Sequence, residues 1–357
     1  MINQSVKQQE GYQYIIQGDY HKAASYYEQA IEAEPEVRVN YWYLGLCLLL
    51  QGEEEEAPLT WFLAMGETDD DQQIDQWTLE LSQVLESEAE RQEQLDDKQL
   101  AWTIRQHLRT INPTDVNNLL SSVHLAIQLK ILDNAYWDEL NIIEILESVS
   151  DYNQIDSNLV VKVTENILEL TPIEDYILDL IKIFTQIIKT QGQNISEFIY
   201  VMISGSVKLM SFLTKKTYAA QILEIVLLID PEEPEILIQL ITAYQNSDQH
   251  TKGINTAKKL LLCSHSLSQK IFANQVFIRA LMTATGYGYE ASEAIKIQEE
   301  LIVALIKESP IIEHDIFVSR LFTSMFFFPY FQDEPAKMRP LQNDLMSLAL
   351  KNIEIYD

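Results

Sequence analysis

The sequence predicts an all-α protein built from stacked helical hairpins, and three observations support this fold class. Only ten glycines and ten prolines occur in 357 residues, too few turn residues for a fold rich in strands or loops. Apolar residues recur at helical spacing through most of the chain. Finally, one pattern near the start occurs twice at an interval of 34 residues, which is typical of a repeat array.

The clearest repeat lies in the first 71 residues. When residues 4–37 are aligned with residues 38–71, five positions agree in character at the offset of 34. The pairs are Gly11 with Gly45, Gly18 with Gly52, Ala23 with Ala57, Tyr27 with Trp61, and Ala30 with Ala64. A single hairpin cannot bury both of its apolar faces, so each copy is expected to pack on the next.

This pattern resembles the tetratricopeptide repeat, a helix-turn-helix unit whose defining slots are filled in the first copy by Gly11, Ala23, Tyr27, Ala30 and Pro35. Small side chains at Gly11 and Ala23 would let the two helices of a unit approach closely. Pro35 would end the second helix. The fold implied by the resemblance is a tetratricopeptide-like α-solenoid.

Weaker copies follow, and they set the predicted domain organisation. One begins at residue 82 with Ala89, Ala101, Leu108 and Pro113, although Arg105 stands in its aromatic slot. Two more are predicted near 200–233 and 234–267. Helices without a 34-residue register are predicted at 115–131, 135–149, 157–170 and 174–190. Ordinary amphipathic helices remain an alternative for everything after residue 116.

The predicted domains are therefore three. Residues 1–116 are tetratricopeptide-repeat units, residues 117–200 form an irregular helical array, and residues 201–357 hold degenerate helical repeats with a C-terminal capping helix. The stretch 325–331 carries five aromatic residues and is expected to seal the end of the array; an exposed docking patch is the alternative.

Charge and composition limit the function. With 54 acidic against 25 basic residues, the net charge is −29, which disfavours nucleic acid and anionic membrane surfaces as partners. No apolar stretch approaches the roughly 20 residues of a membrane span, so we expect no signal peptide and no anchor. Two distant cysteines, Cys47 and Cys263, give no sign of a disulfide framework and favour a cytoplasmic location.

No pattern predicts chemistry. The six histidines lack the i, i+4 pairing of a helical zinc site, and the chain has no phosphate-binding glycine loop or nucleophile elbow. Asp69, Asp70 and Asp71 have the spacing of a metal-diphosphate motif, but they precede a helical run and are better explained as a helix cap. We therefore expect neither an enzyme nor a cofactor.

A second resemblance is carried by residues 42–65, 77–120 and 329–343. These stretches are similar to the helical N-terminal region of cyanobacterial SPINDLY-type glycosyltransferases. In that family the helical region precedes two nucleotide-binding lobes, which this chain lacks. The resemblance therefore implies an accessory role, in recognition or assembly, and no transfer chemistry.

The candidate site is the groove that the first helices of tetratricopeptide units line. Carrying over the family's peptide-contacting slots names Gln8, Gln9, Tyr12, Val39, Trp42, Tyr43 and Leu46. Aromatic side chains with polar neighbours are typical of a peptide-binding surface. The alternative is that Trp42 and Tyr43 pack under the third unit.

These observations predict a non-catalytic scaffold that binds a protein or peptide partner with a basic or neutral surface. The alternatives are an acceptor-recognition module, or N-terminal portion, of a SPINDLY-type glycosyltransferase system and a self-associating structural protein.

Overall fold

The computed structural model describes residues 10–66, 70–131, 140–169, 175–212, 216–284, 286 and 288–308. These residues are almost entirely helical and include no strand, and consecutive helices pack as antiparallel neighbours. The predicted fold class, an all-α stack of tetratricopeptide-like hairpins, is confirmed. The chain divides into two compact units, residues 1–249 and 250–357, and each is described by itself.

The first unit contains thirteen described helices. They are α1 (10–16), α2 (Tyr20–Ala33), α3 (Arg38–Leu50), α4 (Glu56–Met65), α5 (Asp71–Gln94), α6 (Lys98–Ile111), α7 (Val116–Leu129), α8 (Ile142–Ser148), α9 (Ser157–Glu169), α10 (Asp175–Gln191), α11 (Ile195–Met210), α12 (Lys216–Val226) and α13 (Pro234–Asn246). A 3-10 turn, Tyr152–Gln154, precedes α9.

The first two hairpins cross where the sequence predicts. Ala23, Ala57 and Ala64 are fully buried, and so are the aromatic rings of Tyr27 and Trp61. A Cβ atom added at Gly11 would meet the Tyr27 ring at 2.7 Å, and one added at Gly45 would meet the Trp61 indole nitrogen at 2.1 Å. The glycine in one helix therefore makes the space that the aromatic ring of the other helix fills.

The hairpins share one turn. A residue with positive φ follows the first helix at Gly18, Gly52, Asp96, Lys130 and Asp248. After each of them the next N–H donates back six residues to a carbonyl, as in Asp19 to Tyr14, Glu53 to Leu48, Asp97 to Gln92, Ile131 to Ala126 and Gln249 to Tyr244. This is the Schellman motif, which satisfies carbonyls at the end of a helix.

The spacing of these turns exposes an insertion. From Gly18 to Gly52 and from Asp96 to Lys130 the interval is 34 residues, but from Gly52 to Asp96 it is 44. The ten extra residues lengthen the first helix of the third hairpin, so α5 has 24 residues where α3 has 13. Trp77 in the added part lies under the Arg38 guanidinium at 5.0 Å, which ties the extension to the start of α3.

A second set of helices forms its own core in this unit. The buried residues between Ile15 and Leu108 form one apolar cluster, and those between Val116 and Tyr244 form another. In the latter, a Cβ atom at Gly205 of α11 would meet Leu168 of α9 at 2.6 Å. Ala219, Leu223 and Val226, which carry the weak copy near 200–233, are all buried there.

The second unit is described through α14 (His250–Leu262), α15 (Leu267–Thr283) and α16 (Gly288–Glu308). The α15 helix contacts both others and begins with a capping box between Ser266 and Gln269. Between α15 and α16, the buried Asn274 amide donates to the Ala294 carbonyl at 2.8 Å and to Gln298 at 2.9 Å. The predicted boundaries at 116/117 and 200/201 stay predictions, and the aromatic stretch 325–331 lies outside the described residues.

Candidate protein-binding surface

Three of the predicted groove residues are half-buried on the first helices. Tyr12 of α1 and Tyr43 of α3 have ring centroids 5.8 Å apart, and Val39 lies one turn before Tyr43. The Tyr43 ring stacks on Tyr27 of α2 at 5.2 Å with an interplanar angle of 11°. Burial raises the pKa of the Tyr43 phenol, and the nearby Tyr12 and Glu88 add to this rise. Gln8 and Gln9 lie outside the described residues.

Two other predicted groove residues, Trp42 and Leu46, are not accessible. Both side chains are 0% exposed, so the expectation that they contact a partner is corrected. The reason is the position of α3, which contacts α2, α4 and α5 and is buried around nearly its whole circumference. The Trp42 carbonyl also accepts a hydrogen bond from the Trp61 indole at 3.2 Å.

The exposed face of the first helices lies one hairpin further along, on α5. Adding the 44-residue offset to Val39, Trp42, Tyr43 and Leu46 gives Gln83, Glu86, Ser87 and Glu90, and all four are exposed. We call these four residues the α5 face. Polar, solvent-facing side chains here and apolar, buried ones at the matching places of α3 show that burial differs between equivalent slots of the repeat.

Carboxylates are close together on the α5 face. The pKa of Glu86 is raised, first by partial burial and then by the negative charges of Asp115 and Glu90, while Arg105 opposes the rise. The first four residues after Ile111 lead from α6 to Asp115, which caps α7 by accepting from the Asn118 N–H at 3.1 Å. Capping thus fixes one carboxylate beside the α5 face, and the local potential is negative.

Beneath this face, α5 carries a buried ion pair that sequence reasoning missed. Glu88 is 1% exposed and accepts from Arg91 Nε at 2.8 Å and Nη2 at 2.7 Å, and from the Gln92 amide at 2.6 Å. The bidentate geometry is the strong form of this contact. The i, i+3 spacing of Glu88 and Arg91 was the available signal, but such pairs are usually solvent-exposed.

The aromatic slot of the third hairpin is rebuilt with charge. Arg105 is 4% exposed and donates from Nε to Glu93 at 2.6 Å and from Nη1 to Asn118 at 3.3 Å. The Asn118 amide in turn donates to the Arg105 carbonyl at 3.1 Å, which links α6 to α7. The guanidinium therefore fills the site of Tyr27 and Trp61 while its charge is paired.

The described residues offer little chemistry. Among them, no group of three or more His, Cys, Asp or Glu side chains could hold a metal ion. Burial raises the pKa of the Cys47 thiol to about 12, so this thiol stays protonated at neutral pH. Asp70 caps α5 by accepting from the Gln72 N–H at 3.1 Å, as expected for this acidic run; Asp69 lies outside the described residues. None of the described helices combines the length and apolarity needed to cross a lipid bilayer.

The hairpins and their shared turn define the chain as a tetratricopeptide-like helical-repeat protein. No protein-family model matches the sequence, and no curated protein matches it. The chain is similar to the tetratricopeptide-repeat domain of P58(IPK), with 13% identity and a TM-score of 0.25 over 84% of this chain and 98% of that one.

Two bacterial structures are similar to the same degree. A tetratricopeptide repeat protein from Parabacteroides merdae has 14% identity and a TM-score of 0.22, over 84% of this chain and 98% of that one. The C-terminal part of a repeat protein from Cytophaga hutchinsonii has 12% identity and a TM-score of 0.23, over 81% and 98%. At these values the similarity carries no information on function.

Proposed function

We propose that this protein is a non-catalytic scaffold that binds a protein or peptide partner on the α5 face, with Tyr12, Val39 and Tyr43 at its border. The observation that carries the proposal is that α5 exposes Gln83, Glu86, Ser87 and Glu90, whereas α3 buries two of the equivalent side chains. The third hairpin is therefore the place where first-helix residues can reach a partner.

The charge of this surface selects the partner. No lysine, arginine or histidine occurs between Arg38 and Arg91, a stretch with 13 acidic residues. Within it, Glu86 and Glu90 are held close enough for their charges to repel. A basic peptide segment would relieve this repulsion, and its charge would raise the association rate and discriminate against acidic competitors.

The tyrosines supply the apolar part of the surface. Tyr12 and Tyr43 are half-buried, and Tyr43 is held by stacking on Tyr27. Rings that are fixed before binding lose little entropy on contact, which is the behaviour of binding hot spots. The partner segment is therefore basic, with at least one apolar or aromatic side chain.

Selection from a displayed random-peptide library tests this proposal. Peptides retained by the intact chain should be rich in Lys and Arg, and a Glu86→Gln, Glu90→Gln variant should bind them at least about tenfold more weakly. The matched control is Glu28→Gln, Glu32→Gln, which removes two exposed charges from α2 instead. Equal loss in both variants would show that general charge, and no particular site, holds the peptide.

The glycosyltransferase alternative rests on the sequence resemblance alone. An acceptor-recognition module would also present a peptide-binding face, so peptide selection does not separate the two ideas. Association with a purified SPINDLY-type catalytic domain is the measurement that would.

A further inference from the structure

The α4 helix exposes three large apolar side chains on one side. Leu59 is 67% exposed, Phe62 is 58% exposed and Leu63 is 68% exposed. Their i, i+3, i+4 spacing makes them neighbours on the helix surface, opposite the buried Ala57 and Trp61. A single exposed apolar residue needs no explanation, but a contiguous cluster of this kind marks an interaction surface. We call these three residues the α4 patch.

The repeat itself provides an internal comparison. At the offset of 34, the positions of the α4 patch correspond to Ser25, Glu28 and Gln29 of α2, which are all exposed and polar. At the offset of 44 they correspond to Thr103, Gln106 and His107 of α6, which are polar as well. Three apolar residues are therefore no requirement of the hairpin at these positions, and the second hairpin alone of these three has them.

The surroundings of the patch identify the chemistry of its occupant. Glu53, Glu54, Glu55 and Glu56 directly precede and open α4, and all are exposed. Glu55 and Glu56 precede Leu59 by four and three residues, so their carboxylates lie near the patch along the same side of the helix. Neither makes a capping bond with its side chain, since the N-cap of α4 has no side-chain hydrogen bond.

We propose that the α4 patch is a second docking site, distinct from the α5 face, for a basic amphipathic helix of a partner protein. The apolar side of that helix covers Leu59, Phe62 and Leu63, and its lysines or arginines meet the glutamates at the start of α4. The absence of any basic residue between Arg38 and Arg91 supports this charge assignment, because no residue of that stretch competes for the glutamates.

The test uses a fluorescent synthetic helix made of leucine and lysine, with leucines along one side, and its scrambled counterpart of equal composition. Anisotropy should show that the intact chain binds the amphipathic peptide more tightly than the scrambled one. The variant Leu59→Ser, Phe62→Gln, Leu63→Gln, which gives α4 the polar character of α2, should weaken that binding at least about tenfold. Glu55→Gln, Glu56→Gln should weaken it mainly at low salt.

Two controls make the result specific. Leu79→Gln removes an exposed leucine of α5 from the same acidic stretch and should leave the affinity unchanged. Glu86→Gln, Glu90→Gln alters the α5 face and should also leave it unchanged, so this proposal and the one above can fail independently. All of these changes are at exposed positions, and unchanged thermal unfolding shows that the variants fold.

Three outcomes would overturn the proposal. Equal affinity of the intact chain and the α4 patch variant would show that the patch binds nothing. Loss of binding only in the α5 face variant would assign the peptide to that surface. Sedimentation showing an intact-chain dimer that the patch variant no longer forms would make a second copy of the chain the occupant.

Discussion

Gly45 lies against the indole of Trp61 so closely that a Cβ atom at position 45 would meet Nε1 at 2.1 Å. The same nitrogen donates to the Trp42 carbonyl at 3.2 Å, which holds the ring in place. The contact joins the two helices of the second hairpin, and the equivalent contact in the first hairpin joins Gly11 to Tyr27.

Gly45→Ala should therefore destabilise the protein. Overpacking a core costs about 1–3 kcal/mol, against a gain of about 1 kcal/mol in helix propensity, so we expect a net loss of about 1–2 kcal/mol in urea unfolding. Gly288→Ala, at a helical position with open space around it, is the control and should not destabilise. A Gly45→Ala protein as stable as the parent would show that the two helices are not packed this closely.

The shared turn predicts opposite effects at two of its positions. Gly52 has φ of +88° with nothing near its Cα, so Gly52→Ala should cost about 1 kcal/mol from backbone strain alone. Lys130 has the same role with φ of +58°, and Lys130→Gly should gain about 0.5–1 kcal/mol. Thermal unfolding of the two variants checks both signs, and a loss on Lys130→Gly would argue against the turn.

Glu86→Gln should raise stability at neutral pH. The folded-state pKa of Glu86 is raised, so its ionised form is less favourable in the folded than in the unfolded chain. The gain should be present at pH 7 and should disappear below about pH 4, where Glu86 is protonated in both states. Urea unfolding at several pH values measures it. An equal gain at every pH would mean that charge is not its cause.

Arg105→Ala should be strongly destabilising. It leaves Glu93 and Asn118 without their guanidinium donor inside the structure. We expect a loss of about 2–3 kcal/mol, less than for a fully buried pair because the Glu93 side chain is 32% exposed. Lys182→Ala breaks an exposed pair with Asp179 and should cost less than about 0.5 kcal/mol. Comparable losses in the two variants would contradict the role given to Arg105.

The sequence predicted the hairpins well because their signal is local. Small residues at Gly11, Gly45 and Ala23 and rings at Tyr27 and Trp61 are needed wherever two helices cross, so the residue types reveal the contact. Asp96 and Lys130 were harder to find, since glycine is the usual mark of a positive φ and neither is glycine.

The site was predicted less well, because accessibility depends on neighbours. The slots of Trp42 and Leu46 are correct for a first helix, yet α5 and its ten-residue extension help to bury α3 on a further side. That extension is invisible to a 34-residue register. The Glu88 and Arg91 pair was missed for a similar reason, since an i, i+3 pair does not reveal its own burial.

Site-specific photo-cross-linking tests the central claim most directly. A benzophenone amino acid is placed at Ser87 on the α5 face or at Gln29 on α2, both exposed positions, and each protein is irradiated with a peptide selected from the displayed library. We predict cross-links from position 87 and none from position 29. Cross-links from position 29 without any from position 87 would contradict binding on the α5 face.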